Sequence, residues 1–581
     1  MPDVRTIPAL WRDALREERS TPAYLVESDD GWCEVSWEEA GRAVEELAHG
    51  LLALGVRKGD AFAIMGRTTL EWALFDFALA HVGAITAPIY PTSSPKDAAY
   101  IAEHSEAIGI LGEEELPDVP DRVRHRLTFA DLQSLRERGR AHAASNPGAL
   151  EEAVAAIAED DLFTYIYTSG TTGPAKGCMI PHRNYYDMCE SVGRMQSLLV
   201  GDDTLLLFLP LAHNFGRLVH LLGPYLGYTI AFCPDPLRVA EVLPEVRPTV
   251  FPSVPRLFEK VHTAVVAKFD EATGVRRRLI DWALRVGRRV SILRQHGRPI
   301  PPLLAVQHRI ADKLVYSKVK ARLGGRLRAA VSGGAPLAKE IAEYFHALDI
   351  LILEGYGLTE CTTACAANRV DRFRFGTVGT AMPGFEIKIA QDGEILIKGP
   401  TIFGGYYRDD DSTRAVLTED GWLRSGDVGQ LDEDGFLTIT DRKKDIIVTA
   451  GGKNVAPQNL ENELKSSRFV SQALVVGDRR PYVVALVTLD EPEVSGWAAE
   501  RGLDGDVATL SRHERVRQLV EEIVGEVNAD RSRFEQIKRF AILPRDFSAE
   551  HDEVTPTLKL RRRICEEHFT GEIEQLYSLS E

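Results

Sequence analysis

The chain contains the stretch Ile166-Tyr-Thr-Ser-Gly-Thr-Thr-Gly-Pro-Ala-Lys-Gly177, in which an apolar run at 162–167 leads into a loop of glycines and hydroxyl side chains. Glycine allows backbone N–H groups to face an anion, and Ser and Thr hydroxyls add further donors. Lys176 contributes a positive charge. This composition predicts a buried strand followed by a loop that binds a polyphosphate.

The loop differs from a Walker A loop. Counted from Gly170, the second glycine of that pattern falls on Ala175, and Lys176 is followed by Gly177 where Ser or Thr is required. The sequence therefore predicts a phosphate loop of another class.

The regions on either side of the loop predict an α/β fold. Apolar runs at 62–65 and 84–90 alternate with helical patterns, as in a buried parallel sheet. Residues 36–55 predict a helix, because Ser36 and Glu39 have capping-box spacing and Gly55 suits its end. Between 204 and 234 the only charged residue is Arg217, but prolines and glycines recur, so we expect buried strands and a helix there and not a membrane span.

The C-terminal part of the chain changes character twice. From about 376 to 440, short alternating runs separated by Asp–Gly pairs predict a small antiparallel sheet or barrel. After the charged run 441–445, a smaller α+β unit begins. We therefore predict a large N-terminal domain at 1–440 and a C-terminal domain at 441–581.

Charge is distributed unevenly. The 581 residues include 69 Lys and Arg against 86 Asp and Glu, a net charge of −17, which makes nucleic acid an unexpected partner. Yet residues 275–328 hold fifteen Lys and Arg against two acids, within a helical insert predicted at about 262–328. This insert could contact an anionic membrane, form a solvated helical hairpin, or meet the phosphates of a cofactor.

The seven cysteines are sparse and odd in number, which is typical of a reducing, cytoplasmic location. The N-terminus shows no basic segment followed by an apolar run, so no signal peptide is expected.

Eight motifs occur in the order found in the adenylate-forming (AMP-binding) superfamily, which the chain resembles along nearly its whole length. They are the loop at 167–177 and the segments 209–213, 332–336, 356–360, 425–427, 441–442, 451–454 and 556–559. The subgroup that it most resembles is the long-chain fatty acyl-CoA synthetases, on the evidence of Leu209-Pro-Leu-Ala-His213 and the helical insert. Gly216 stands where that subgroup more often has an acidic residue.

The resemblance implies nucleotide-binding roles for a defined set of residues. Tyr356 would stack on adenine, Asp427 would accept hydrogen bonds from the ribose hydroxyls, and Arg442 would donate to ribose or phosphate. The remaining members of the implied binding set are Thr168, Ser169, Gly170, Thr171, Thr172, Gly173, Lys176, Ser332, Gly333, Gly334, Ala335, Glu354 and Gly355.

It also implies the catalytic groups. Glu360 and Thr168 would hold Mg²⁺, which prefers oxygen ligands. Thr359 would reach the α-phosphate, and Lys559 would bridge the substrate carboxylate and that phosphate. Asp441 would be the hinge of a mobile C-terminal domain whose other face presents Gly451 and Gly452 to coenzyme A. His213 is expected either at the entrance of the acyl pocket or as a buried core histidine.

The function implied is ATP-dependent activation of a long-chain fatty acid to acyl-CoA, with ATP, Mg²⁺ and coenzyme A as cofactors. Three alternatives stay open: a fatty acyl-AMP ligase that delivers to a carrier protein, a CoA ligase for another carboxylic acid, and a catalytically silent nucleotide-binding protein. A homodimer and peripheral contact with the inner face of a membrane are also left open.

Overall fold

A computed structural model describes residues 4–114, 116–168, 174–195, 198–529, 531–548, 550–555 and 560–578. The expected phosphate-loop residues Ser169, Gly170, Thr171, Thr172 and Gly173, and the expected catalytic residue Lys559, lie outside these ranges.

The strands are β1 Tyr24–Ser28, β2 Gly31–Val35, β3 Ala61–Met65, β4 Ile85–Ile89, β5 Gly109–Gly112, β6 His125–Thr128, β7 Leu162–Thr168, β8 Lys176–Pro181, β9 Thr204–Leu207, β10 Thr229–Phe232, β11 Val250–Ser253, β12 Ala329–Ser332, β13 Ile352–Tyr356, β14 Ala366–Ala367, β15 Thr380–Ala381, β16 Glu386–Ile389, β17 Glu394–Lys398, β18 Leu423–Leu431, β19 Leu437–Arg442, β20 Ile447–Val448, β21 Asn454–Val455, β22 Val470–Val476, β23 Val483–Leu489 and β24 Ile537–Ile542.

The α-helices are α1 Ile7–Arg16, α2 Trp37–Ala53, α3 Leu70–His81, α4 Pro95–His104, α5 Leu132–Ser145, α6 Ala149–Ala155, α7 His182–Gly193, α8 Asn214–Leu226, α9 Val239–Val246, α10 Pro255–Asp270, α11 Gly274–Gln295, α12 Pro302–Ala311, α13 Ser317–Arg322, α14 Lys339–Ala347, α15 Asp410–Val416, α16 Pro457–Lys465, α17 Glu491–Ala499, α18 Val507–Leu510, α19 Glu514–Asn528, α20 Arg562–His568 and α21 Thr570–Ser578. Shorter 3-10 or π turns lie at Phe129–Asp131, Pro236–Arg238, Asp312–Tyr316 and Thr359–Cys361.

Two mainly parallel sheets form the N-terminal part, as the α/β pattern predicts. One has nine strands in the order β15-β14-β13-β12-β11-β9-β10-β1-β2, and the other has six in the order β6-β5-β3-β4-β7-β8. Antiparallel strands stand at edges of both, where β2, β14, β15 and β8 join. Residues of both sheets and of the helices around them belong to one continuous hydrophobic core.

Local signals in the sequence correspond to the observed elements. Helix α2 begins after Ser36, whose side chain accepts from the Glu39 backbone while the Glu39 carboxylate accepts from the Ser36 backbone, so the predicted capping box is confirmed. The apolar stretch 204–234 forms β9, α8 and β10, as expected for a buried core. No helix in the described ranges combines the length and the apolar character needed to cross a bilayer.

The C-terminal part contains smaller sheets. Strands β16 to β19 form an antiparallel four-stranded sheet in sequence order, which is one of the two forms that the Asp–Gly pattern allowed. Farther along, β22, β23 and β24 form a three-stranded sheet. Alternate residues of β23 point into two different cores: Val483, Ala485 and Val487 into one, Val484 and Leu486 into the other. This period-two alternation is that of a strand covered on both faces.

A buried ion pair joins the helices that lie between the two large sheets. Arg217 on α8 and Asp76 on α3 are almost completely buried, and two guanidinium nitrogens donate to the Asp76 carboxylate, with Nε to Oδ2 at 3.0 Å. Arg217 also donates to Thr164 Oγ1 on β7 at 2.6 Å, and Thr86 on β4 donates to Asp76 at 2.6 Å. The only charge of the apolar stretch is therefore fully paired.

We expect Asp76→Ala to destabilise the protein by about 3–5 kcal/mol, because it leaves the Arg217 guanidinium buried without its partner. The urea midpoint of unfolding measures this loss. Glu38→Ala, which removes an exposed partner of Arg42 on α2, is the matched control and should cost less than about 1 kcal/mol. Equal midpoints for the two variants would contradict the assigned importance of the buried pair.

Candidate active site

The carboxyl ends of the central strands of the nine-stranded sheet bring two predicted nucleotide-binding residues, Ser332 and Glu354, next to Ser253, which was not predicted. Ser253, Ser332 and Glu354 are neighbours across β11, β12 and β13 in register, and all three are buried. In open parallel sheets, ligands bind at this edge. The Oγ atoms of Ser253 and Ser332 have no hydrogen-bond partner among the described residues.

The turn after β12 lies over this edge. Gly334 has a φ of +83°, which favours glycine, and a Cβ at Gly333 would stand 3.3 Å from the Phe215 ring. The backbone N–H of Leu337 donates to Glu354 Oε2 at 3.2 Å. Burial raises the pKa of Glu354 to about 7, although this hydrogen bond lowers it. The carboxyl therefore titrates near neutral pH.

Asp427 is held between Tyr356 and Arg442. The Tyr356 hydroxyl donates to Asp427 Oδ2 at 2.7 Å, and Arg442 Nε lies 3.5 Å from Oδ1. Asp427 and Arg442 are directly opposite each other in the β18–β19 pair, so the ladder fixes their separation. Burial, followed by the Asp427 charge, raises the pKa of Tyr356, which keeps its hydroxyl as a donor. Three of the predicted nucleotide-binding residues therefore form one cluster.

Glu360 is oriented by Tyr406. The Tyr406 hydroxyl donates to Glu360 Oε1 at 2.5 Å, and burial together with the Glu360 charge raises the pKa of Tyr406. The backbone at Tyr406 forms an antiparallel bridge with Cys178 on β8, next to the phosphate loop. A cavity of about 380 Å³ opens beside Glu360 and Tyr406.

The two ends of the phosphate loop lie close to Glu360. Thr168 and Lys176 face each other across the β7–β8 pair, and the buried Cys178 thiol interacts with the Thr168 hydroxyl and with the charges of Glu360 and Lys176. Lys176 Nζ contacts Ser412, lies 3.3 Å from Asp409 and stands 5.2 Å from the centre of the Tyr406 ring. In the described structure its charge is therefore engaged at the start of α15.

His213 and Thr359 lie near each other at the start of α8. His213 caps this helix, accepting from the Phe215 backbone at 3.2 Å, and it is only partly buried. Asn214 Nδ2 donates to the Thr359 carbonyl at 3.4 Å. His213 is partly exposed, and its role therefore stays a prediction.

Gly216, one turn into α8, has no room for a side chain. A Cβ there would stand 2.5 Å from the Pro210 carbonyl oxygen and 2.7 Å from that of Leu209. The close approach of the helix to the 209–213 segment therefore explains why glycine occupies this position.

Asp441 is buried at the last-but-one position of β19. Its carboxylate accepts from the backbone of Arg442 at 2.6 Å and of Gln458 at 3.2 Å, and burial raises its pKa to about 6. Gly451 and Gly452 are exposed and lie between β20 and β21, in the part of the chain that follows. The structure does not bring these glycines into contact with the Asp427 cluster.

Besides Ser253, sequence reasoning missed three residues of this site. The first is Tyr406. The second is Lys444, which is exposed at the surface yet interacts with the charges of both Asp427 and Glu360; partial desolvation, followed by the charge of Arg442, lowers its pKa. Lys443 lines the cavity and binds Asp392 at 2.7 Å and Glu394 at 3.1 Å. Both lysines belong to the charged run 441–445, which indicated a domain boundary but not that its lysines lie beside the site.

Comparisons with known proteins agree over nearly the whole chain. The model of the family described as AMP-binding enzyme matches residues 11–407, and that of the AMP-binding enzyme C-terminal domain matches 444–581. The long-chain-fatty-acid–CoA ligase FadD15 of Mycobacterium tuberculosis is 38% identical over 97% of this chain and 96% of its own length. The peroxisomal long chain acyl-CoA synthetase 6 of Arabidopsis thaliana is 31% identical over 94% of this chain and 81% of its own.

Solved structures share the fold. The adenylation domain of the carboxylate reductase from Mycobacterium chelonae has a TM-score of 0.76 at 23% identity, covering 100% of this chain and 92% of that domain. The anthranilate CoA ligase AuaEII in complex with anthranoyl-AMP has a TM-score of 0.74 at 19% identity, covering 98% of both chains.

Glu354 is expected to make stability fall as pH rises. Its pKa of about 7 in the folded protein exceeds the ordinary 4.5, so its contribution is fully present below pH 4.5 and is lost as pH rises through 7. Between pH 5 and pH 8, the free energy of unfolding of Glu354→Gln should therefore rise relative to that of the parent by up to about 3 kcal/mol. Unfolding midpoints at the two pH values measure this, with exposed Glu386→Gln as control. A pH-independent difference would contradict the assigned titration.

Proposed function

The chain belongs to the AMP-binding enzyme family, and on that basis we propose that it is an AMP-forming ligase that joins a long-chain fatty acid to coenzyme A. The observation that carries this proposal is the similarity, over nearly the full length of both chains, to curated long-chain-fatty-acid–CoA ligases. The clustering of Tyr356, Asp427 and Arg442 supports it, because these groups suit a nucleoside.

In the first step, a carboxylate oxygen of the fatty acid attacks the α-phosphorus of ATP, and the bond to pyrophosphate breaks. We assign adenine to the ring of Tyr356, which the bond to Asp427 orients. Asp427 accepts from the ribose hydroxyls with its remaining acceptor capacity, and Arg442 donates to ribose or phosphate. Lys444 adds positive charge at the same place, since it interacts with both Asp427 and Glu360.

The residues at the phosphate loop fit Mg²⁺. No group of three His, Cys, Asp or Glu side chains suited to a metal is present in the described ranges, but Thr168 and Glu360 supply oxygen atoms around the same thiol, that of Cys178. Magnesium bound to ATP keeps several waters and needs few protein ligands. The ion would neutralise phosphate charge, and the role of Tyr406 is to hold the Glu360 carboxylate in place.

Lys559 is assigned to the first step by resemblance. Its ammonium would hold the substrate carboxylate and the α-phosphate together while both are anionic. Among the described residues near Lys559 in sequence, Val554 and Leu560 form an antiparallel bridge. The neighbouring Glu553 is buried and ionised. Burial alone would raise its pKa, but hydrogen bonds from Arg545 and His568 outweigh that effect and hold the pKa at about 2.

We place a hinge at Asp441, between a large domain at 1–440 and a C-terminal domain at 441–581. The two parts touch where Arg256 on α10 donates to Ser471 at 3.1 Å. Beside this hydrogen bond, a cavity of about 700 Å³ separates them. Rotation at Asp441 would withdraw Lys559 and bring Gly451 and Gly452 towards the bound adenylate. Hinges of this kind are a few linker residues that absorb the dihedral change.

In the second step, the thiol sulfur of coenzyme A attacks the acyl carbon, the bond from that carbon to the AMP oxygen breaks, and the thiol proton leaves to solvent. The mixed anhydride is reactive enough that no covalent acyl-enzyme is needed. We place His213 at the entrance of the acyl pocket, because it lies beside the Thr359 turn. Within this proposal, Thr359 reaches the α-phosphate.

The proposal places the enzyme in the cytoplasm, with the basic insert against the inner face of a membrane. All seven cysteines are unpaired in the structure, as is typical of a reducing compartment. The acyl-AMP ligase alternative is not favoured, because the relatives that match over the full length are named CoA ligases.

CoA-dependent release of AMP across a panel of acids, from acetate to very long chains, tests the proposed function. We expect long unbranched acids to be preferred, since each buried methylene contributes about 0.8 kcal/mol. Faster turnover of acetate or an aromatic acid than of palmitate would overturn the substrate assignment. Adenylate formation without turnover on free CoA would instead support the acyl-AMP ligase.

Lys559→Ala should separate the two half-reactions. Loss of one preorganised charge is expected to slow pyrophosphate release by roughly 10²–10³-fold. The same sample, supplied with synthetic acyl-adenylate and CoA, should form thioester at close to the parental rate, because the two anions no longer need to be held together. Lys538→Ala, which removes an exposed lysine from β24, is the matched control. If both half-reactions of the Lys559 variant fall equally, the assigned role is wrong.

A further inference from the structure

The basic insert carries an exposed apolar stripe that composition alone did not indicate. Leu303, Val306 and Ile310 on α12, and Leu314 in the π turn that follows, are 72%, 51%, 47% and 41% exposed. Their spacing of three, four and four residues places them on one side of the helix. The other side, with Leu304 and Ala311, is buried against the protein. We call these four residues the α12 stripe.

Cations flank the α12 stripe and cover the neighbouring helix. Arg309 and Lys313 are exposed beside it. Helix α11, which contacts α12, presents Arg278, Arg285, Arg288, Arg289 and the 55% exposed Ile292 on its outer side. Among the described residues, the Lys and Arg of segment 275–328 that form ion pairs are Arg277, Arg294, Lys320 and Arg328, so the outer arginines of α11 are not neutralised by acidic neighbours.

Packing fixes the direction in which α11 presents these arginines. Its inner face holds Ile280, Ala283, Val286 and Val290 in the core. At Gly287 the helix approaches α14 so closely that a Cβ would lie 1.9 Å from the Ala347 carbonyl oxygen. The helix therefore cannot rotate to bury its arginines, and its outer face stays available to a partner.

We propose that the α12 stripe and the outer arginines of α11 form a docking surface for an anionic lipid bilayer; this deepens the membrane contact of the proposed function and rests on it. Large aliphatic side chains beside cations are the composition of helices that lie in a membrane interface. Charge complementarity selects the occupant: segment 275–328 carries +13, while the rest of the chain carries −30, so an anionic surface attracts this face and repels the remainder.

This surface gives the enzyme access to its substrate where that substrate is concentrated. Long-chain fatty acids partition into bilayers, so a ligase resting on the leaflet meets them at high local concentration. The stripe inserts to the level of the acyl chains, while the arginines stay with the headgroup phosphates.

Vesicle co-sedimentation of the full chain tests the proposal. Vesicles contain either phosphatidylcholine alone or equal parts of phosphatidylcholine and phosphatidylglycerol. The protein should bind the anionic vesicles and be released by salt. Arg285→Ala/Arg288→Ala/Arg289→Ala should weaken binding by roughly 100-fold, because each cation at an anionic surface contributes about fivefold. Leu303→Ser/Ile310→Ser should weaken it by at least about tenfold.

Two controls make the outcome specific. Arg16→Ala/Arg42→Ala/Arg479→Ala makes the same change in net charge at exposed positions outside the insert, and Leu237→Ser removes an exposed leucine elsewhere. Both should bind like the parent. No binding of the parent to anionic vesicles, or equal losses in the controls, would overturn the proposal.

Light scattering tests whether a second copy of the chain, and not a bilayer, covers the α12 stripe. If Leu303→Ser/Ile310→Ser converts a dimer to a monomer while vesicle binding is unchanged, the stripe is a contact between two copies of the chain and the proposal is wrong. Thioester formation from fatty acid delivered on serum albumin, without vesicles, should be equal in all variants. Absence of that activity in the parent would overturn the proposed ligase function. The vesicle assay would still decide whether this surface binds an anionic bilayer.

Discussion

The buried pair between Arg217 and Asp76 is the constraint on which the arrangement of the large domain depends. Neither side chain meets water, so each charge is stable there only because the other is present and because Thr164 and Thr86 complete the hydrogen bonds. The four residues come from α8, α3, β7 and β4. Their hydrogen bonds therefore fix the position of α8 relative to two strands of the six-stranded sheet. One turn before Arg217, the start of α8 meets the Thr359 turn, so this pair also sets one wall of the candidate site.

Features that depend on a few neighbouring residues could be predicted from the sequence. The capping box of α2 and the strands between Asp–Gly turns follow from local rules, and the structure confirms them. Partners far apart in the chain could not be predicted: Arg217 and Asp76 are separated by 141 positions, and Tyr406 and Glu360 by 46. Lys444 could not be predicted for another reason, since a run of charges does not indicate which member lies close to Asp427 and Glu360. The roles of Lys559 and the phosphate-loop residues stay predictions based on resemblance.

The candidate site contains residues on both sides of the proposed hinge, and this links nucleotide binding to the proposed domain movement. Arg442 faces Asp427 in an antiparallel ladder, yet it directly follows the proposed hinge residue Asp441. A rotation there would disturb the contact of Arg442 with Asp427, the proposed partner of the ribose, while leaving Tyr356 and Asp427 in place. Lys443 forms ion pairs with Asp392 and Glu394 of the small antiparallel sheet, and the same rotation would have to break them. Within the proposed mechanism, nucleotide retention and domain movement would thus be linked through three consecutive residues, Asp441, Arg442 and Lys443.

Gly216 has a consequence for how this sequence can change over time. Since the carbonyl oxygens of Leu209 and Pro210 occupy the space a side chain would need, any larger residue at 216 requires a prior shift of the 209–213 turn. Substitutions at the two places are therefore epistatic, and their order matters along a mutational path. Grafting the acidic residue more common in the subgroup onto this backbone would be a strained intermediate, so chimeras between such enzymes should be joined outside the unit formed by this turn and α8.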